Sequence, residues 1–234
     1  MDLLAIVAHP DDADIFIGGT LAKHATRGDN VTIAYMTRGE FGGASDTTQE
    51  DVAAVREKEA LAAAETLGAD ATFLDFKDGR ITYSLENREL IVDSIREHQP
   101  DYVITHYGDD MHPDHQATSK LVTDAYYMSS LPLAETEHDP WEPENVFYFG
   151  KPTSSFDPDL VVDISGYEET KEKAILQHES QVEWLDEHGG IDAEFDGLID
   201  GVRAEAKKLG KTHGVKYAEG FTTFHQSSSE YLDS

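Results

Sequence analysis

The sequence predicts an α/β fold, a doubly wound and mainly parallel sheet with helices on both faces. Three observations lead there. Short strand-like runs alternate with longer stretches of helical periodicity along the chain. The first run, LLAIVA, is apolar throughout, as a strand covered on both faces should be. No composition break divides the 234 residues, so 1–234 reads as a single domain.

Taken in order, residues 3–8 form the first strand, and a helix over about 14–27 ends near Gly28. VTIAYMT (31–37) is the second strand. The loop RGEFGGASDTT then leads to a helix from about Gln49 to Leu67, where Ala60, Ala63, Ala64 and Leu67 share one face and Gly68 suits the C-cap. ATFLDF (71–76) is a third strand, 86–98 a helix, and YVITH (102–106) a fourth strand. A helix from about His115 to Met128 follows, with Asp114 suited to its N-cap. NVFYFG (145–150) and LVVDI (160–164) are further strands. Helices are expected over 166–187 and 192–209, the latter carrying Phe195, Leu198, Ile199 and Val202 on one face. YAEGFTTF (217–224) is a last extended segment. The segment LPLAETEHDPWEPEN (131–145), with three prolines and many acids, is a surface loop long enough to carry specificity.

Composition narrows the function. The chain has no cysteine, which removes thiolate ligands, disulfides and a cysteine nucleophile. Any metal site must be built from histidine and carboxylate, a set that suits zinc or another divalent transition metal. Eighteen basic against 47 acidic residues leave a formal charge of −29, so neither nucleic acid nor an anionic membrane is an expected partner. With 39% hydrophobic residues and clear periodicity, this acidity fits a folded protein adapted to high salt rather than a disordered chain. No run of apolar residues is long enough to span a bilayer, and no signal peptide is visible. A cytoplasmic protein is expected.

Two motifs carry the chemistry. His9-Pro10-Asp11-Asp12 leaves the end of strand 1, and GDDMHPDH (108–115) leaves the end of strand 4. In a sheet of order 3-2-1-4-5 these ends flank the point where the winding reverses, which is where ligands bind. Each motif alone reads as a strand-end turn with an aspartate cap. Facing each other, they read as a site. Pro10 keeps His9 extended and stops a helix from starting at once. The turn can then bring His9 and Asp12 to one point, with Asp11 aimed beside it. A histidine from the second motif would complete three N/O ligands with an open fourth position, the layout of a catalytic zinc. The remaining carboxylate stands where a general base belongs.

The stretches AHPDD (8–12), GGTLAKHA (18–25), TRGE (37–40), REKEALAAAETLG (56–68) and HPDH (112–115) resemble the PIG-L/LmbE-like deacetylases, over most of the chain. YAEGF (217–221) is similar to the branch holding the bacillithiol-pathway N-acetylglucosamine–malate deacetylases. The resemblance implies a Rossmann-like fold and zinc-dependent removal of acetyl from an N-acetylglucosamine conjugate. It places the metal on His9, Asp12 and His115, and the general base on Asp11. His112 falls on the histidine that stabilises the oxyanion or protonates the leaving amine, and Asp114 on its orienting partner. Arg56 matches a substrate-supporting arginine, although alone it reads as a helix-surface charge. Asp78 and Glu40, after strands 3 and 2, stand at the sheet edge where a sugar hydroxyl would be met, although Asp78 before Gly79 reads equally as a turn residue, and Glu40 likewise. The family also implies a homo-oligomer, trimer or hexamer.

Two departures stand out. Ala13 occupies the place where the family often has glutamate, with Asp14 next, and loop 131–145 lacks the arginine that related enzymes draw from there, which weighs against a malate conjugate. His106 could line the pocket, whereas His24, His98, His138, His178 and His188 read as structural or solvated. The alternative is a nucleotide-binding Rossmann-like module, or a non-catalytic metal- or sugar-binding protein. HPDDAD in place of a glycine-rich turn argues against the nucleotide, because carboxylates there would repel a pyrophosphate.

Overall fold

The computed structural model describes residues 1–44, 46–150, 156–187 and 197–224. Strand β1 (Asp2–Val7) alternates strictly, with Leu3, Ala5 and Val7 entering one core layer and Leu4 and Ile6 the other. It pairs in parallel with β2 (Asn30–Tyr35) on one side and β4 (Tyr102–His106) on the other. Beyond β2 lies β3 (Asp70–Phe73), and beyond β4 lies β5 (Asn145–Phe149), both parallel to their neighbours. The sheet is completed by β6 (Leu160–Asp163) and β7 (Ala218–Thr223), giving the order β3-β2-β1-β4-β5-β7-β6. Strand β7 runs antiparallel between β5 and β6, so only the last strand departs from the parallel sheet that alternation predicts.

Helices α1 (Asp12–Arg27) and α2 (Gln49–Leu67) cover one face, with α5 (Glu168–Ile175). Helices α3 (Leu85–His98) and α4 (Pro113–Ser129) cover the other. Gly28 and Gly68 close α1 and α2 in left-handed conformations at φ 95° and 78°, where a side chain would be strained.

The stretches GGT and YAEGF meet in three dimensions. Glu219 of β7 accepts hydrogen bonds from the backbone N–H of Gly19 (3.0 Å) and Thr20 (2.7 Å), in the middle of α1. Lys171 of α5 joins the same carboxylate at 2.5 Å, and all of these groups are buried. A Cβ at Gly19 would come within 2.7 Å of Ile164, so glycine is what lets α1 approach this close.

Three expectations change. The segment 166–187 is two helices, α5 and α6 (Glu179–Glu187), because the chain turns at Leu176–His178. The turn carries the His178 ring inward to Asp14, at 2.9 Å from Nε2 to Oδ2, and both side chains are fully buried. The final helix α7 runs Leu198–His213 and is closed by Gly214, whereas 192–196 and His188 lie outside the described residues. The N-cap of α4 is His112 rather than Asp114: Pro113 lacks an N–H and suits the first helical position, which sets the cap two residues earlier.

Loop 131–145 stands at the wrong end for specificity. Helix α4 starts at the carboxyl end of β4 and carries the chain about 25 Å to the opposite edge of the sheet. There buried Arg96 holds the loop through the carbonyls of Ser129, Leu131 and Ala134. Trp141 donates to Pro100 O just before β4 begins. No helix among the described residues is long and apolar enough to cross a membrane.

Candidate active site

The turn after β1 is closed by its own carboxylate. Asp12 Oδ2 accepts the His9 backbone N–H at 2.7 Å, which folds the tetrapeptide back on itself before α1 begins. That carboxylate lies among three imidazoles. Its Oδ2 is 3.3 Å from His9 Nδ1 and 3.3 Å from His106 Nε2, and its Oδ1 is 3.2 Å from His115 Nε2. The His9 and His115 rings, from motifs a hundred residues apart, have centroids 5.3 Å apart. Among the described residues, three groups with mutually close ligand atoms could hold a metal ion: His9, His112 and His115; Asp12, His106 and His115; His9, Asp78 and Asp114.

Each ring is oriented by a neighbour. His115 Nδ1 meets Asp110 Oδ2 at 3.1 Å, which puts its hydrogen there and leaves the Nε2 lone pair facing Asp12. His106 Nε2 accepts the Ala8 N–H at 2.9 Å, so this fully buried ring is neutral and its nitrogen is already engaged. His112 Nδ1 accepts the Asp114 N–H at 3.2 Å, leaving an N–H on Nε2 when the ring is neutral. His9 Nε2 lies 3.2 Å from Asp78 and 3.5 Å from Asp114, but makes no hydrogen bond among the described residues. Against Asp12, the buried His9 Nδ1 and His115 Nε2 complete a set of two imidazoles and a carboxylate that fits a divalent cation bound by nitrogen and oxygen.

Electrostatics agree. Burial lowers the pKa of His9, yet Asp12, Asp114 and Asp78 outweigh it and hold the group well above its usual value. His115 is likewise pushed up to about 9, Asp12 and Asp110 overcoming burial. Burial raises Asp12, but the imidazoles of His115, His106 and His9 keep it well below the usual carboxylate range. His106 goes the other way, to about 4, through burial and then the charge of His115. Burial, then His9 and His115, also lower His112. The centre therefore favours a cation, whether proton or metal.

Asp11 stands outside this cluster. It occupies the N-cap of α1, yet its side chain makes no capping bond. One oxygen accepts from Arg56 Nη2 at 2.8 Å, and the side chain keeps 16% of its surface exposed. Arg56 is not a surface charge: it is 3% exposed and also donates to Gly39 O at 2.9 Å.

Residues 4–126, more than half the chain and all of both motifs, match the PIG-L family, described as GlcNAc-PI de-N-acetylase. The chain belongs to the PIG-L family. A diacetylchitobiose deacetylase of Thermococcus kodakarensis is 31% identical to it, with 93% of this chain and 81% of that protein covered. A probable N-acetyl-alpha-D-glucosaminyl L-malate deacetylase 2 of Bacillus anthracis is 33% identical, over 53% of this chain and 58% of its own length. Among solved structures, the N,N'-diacetylchitobiose deacetylase of Pyrococcus horikoshii superposes with a TM-score of 0.83 at 29% identity, covering 95% of this chain and 83% of that one.

Within this PIG-L chain the second layer differs from what the motifs imply. The Asp114 carboxylate accepts from Gly79 N (2.7 Å) and Ile81 N (3.3 Å) and approaches His9, so only its backbone N–H meets the His112 ring. Asp78 accepts the Phe41 N–H at 2.8 Å with one oxygen and turns the other to His9. Glu40 accepts the Asp78 N–H at 3.3 Å. These two acids brace His9 and the loop after β2. Asp110 is the contact the motif reading missed, and the signal for it was an acid five residues before a candidate ligand. Arg56 also carried a signal: it lies four residues before Ala60, on the buried stripe of α2.

Proposed function

We propose that this protein is a metal-dependent N-deacetylase that hydrolyses the acetamide of an N-acetylglucosamine-type amino sugar. The observation that carries the reading is Asp11, the one acid of the His9–Asp12 turn that neither joins the imidazole cluster nor caps its helix. His9, Asp12 and His115 would hold the ion, zinc in the first instance. Bound there, a divalent ion would supply a Lewis acid able to lower the pKa of water towards about 7.

The chain's own groups then divide the work. Asp11, steadied through one oxygen by Arg56, takes a proton from the attacking water with the other. His112, its Nδ1 engaged by the Asp114 N–H, offers the Nε2 hydrogen to the developing oxyanion. As the C–N bond breaks, the proton held on Asp11 passes to the departing amine, leaving acetate and a free amino sugar. Family membership and the deacetylase names of the relatives support this assignment.

The test is metal analysis followed by amine release from N-acetylglucosamine compounds in molar salt. Asp11→Asn should keep its metal and lose roughly a hundredfold or more in turnover, whereas His9→Ala and His115→Ala should lose the metal. A fully active Asp11→Asn enzyme would remove Asp11 from the base role.

A further inference from the structure

The stretch His178-Glu179-Ser180-Gln181 opens α6, and three of its four residues reach three different segments. His178 meets Asp14 in the first turn of α1, at 2.9 Å. Ser180 donates its N–H and its hydroxyl to the two oxygens of Glu59 on α2, at 2.9 and 2.7 Å. The buried Gln181 donates from Nε2 to Gly42 O, in the loop after β2, at 2.7 Å. These are the segments that hold the proposed base. Asp11 stands three residues before Asp14, and Arg56 three residues before Glu59, about one helical turn away in each case. The loop supplies Gly39 O, which accepts from Arg56 Nη1 at 2.9 Å while Nη2 donates to Asp11 at 2.8 Å.

Glycine makes this loop pliant: Gly39, Gly42 and Gly43 fall close together, and each leaves the backbone many conformations. An outside anchor therefore matters. The Gly42 N–H bonds Gly39 O at 3.0 Å, so a hold on Gly42 is also a hold on Gly39. Gln181 and Arg56 share Gly42 as a contact. A Cβ added there would come within 2.7 Å of Arg56 Nη1 and 2.8 Å of Gln181 Oε1. The guanidinium from α2 and the carboxamide from α6 thus pack against one glycine.

A general base must stand within hydrogen-bond reach of the proton it takes, and a displacement of about 1 Å can cost on the order of a hundredfold in rate. Arg56 sets one oxygen of Asp11, Gly39 O sets Arg56, and Gln181 sets the loop. We propose that Gln181 is a positioning residue for Asp11, acting through Gly42, Gly39 and Arg56, with the His178–Asp14 and Ser180–Glu59 bonds fixing α6 against the two helices. This rests on the base role given to Asp11 above.

The experiment measures metal content, kcat and KM of the zinc-loaded protein in molar salt, by amine release from N-acetylglucosamine and N,N'-diacetylchitobiose. Gln181→Leu removes the amide with little change in volume. Gly42→Ala instead pushes aside Arg56 Nη1 and the Gln181 carboxamide. Each should lower kcat about tenfold, with KM within about twofold and metal content unchanged. The new methyl of Gly42→Ala meets only the ends of two flexible side chains, so this variant should fold normally and guards against misfolding in Gln181→Leu. In an Arg56→Met background, Gln181→Leu should change kcat by less than about twofold, because the residue it acts through is gone. A loss of about tenfold in both backgrounds would make Gln181 a structural residue only and overturn the proposal. So would wild-type kcat in Gln181→Leu or in Gly42→Ala, with the deacetylase left intact. No amine release from either substrate by wild type would overturn both.

Discussion

Replacing Glu219 tests why the GGT and YAEGF stretches occur together. Its carboxylate holds the N–H groups of Gly19 and Thr20 at 3.0 and 2.7 Å and the Lys171 ammonium at 2.5 Å, all out of solvent. Glu219→Ala leaves a buried ammonium unpaired, which costs about 3–5 kcal/mol. The Gly19 and Thr20 N–H groups lie inside α1, whose own i−4 carbonyls remain, so losing Glu219 as a second acceptor costs about 1 kcal/mol or less each. Local repacking recovers part of this, and a net loss of about 5 kcal/mol is expected. A domain has only about 5–15 kcal/mol of stability in all, so the variant should lie near its unfolding threshold. Urea unfolding in molar salt reads the effect directly. With a slope near 2–3 kcal/mol per molar, the midpoint should fall by about 2 M. Glu219→Gln keeps an acceptor but loses the charge, and should fall by roughly half as much. A shift below about 0.3 M for Glu219→Ala would show that the buried pair does not hold α1 to β7.

Other outcomes follow from the same geometry. Arg56→Met should lower kcat by roughly 10–100-fold with metal content unchanged, since a hydrogen bond to a charged group contributes about 1.5–3 kcal/mol; Arg56→Lys should recover part of the loss. A change in KM alone would return Arg56 to substrate binding. His106 titrates at about 4 when folded, against 6.5 for the ordinary side chain, because burial and then the charge of His115 disfavour its protonation. The unfolded chain takes up that proton first as pH falls, so the contribution is full above about 6.5 and is lost by about 4, some 3 kcal/mol in all. His106→Gln can still accept the Ala8 N–H but does not titrate. Wild type should therefore lose more stability than this variant between those pH values, and parallel stability curves would contradict the assignment. Dialysis to low salt should unfold a chain of charge −29, and an unchanged circular dichroism spectrum would count against salt adaptation.

Sequence by itself determined the elements whose signal is local. The unbroken apolar run LLAIVA, the glycines that close α1 and α2, and the strand–helix order all depend on residues within a few positions of one another. Together with the switch-point rule they also bring His9 and His115 to one place, because both motifs leave adjacent strand ends. Tertiary structure decided the partners. Asp78 and Asp114 turn to His9, His106 faces the Ala8 N–H, and Arg56 points inward to Asp11, each across tens of residues of chain. Only the packed sheet shows that α4 delivers loop 131–145 to the far edge, and that His178 breaks a helix to reach Asp14. Periodicity tells which face of an element is covered. Which atom lies opposite a buried charge depends on how the layers dock, and that no local pattern encodes.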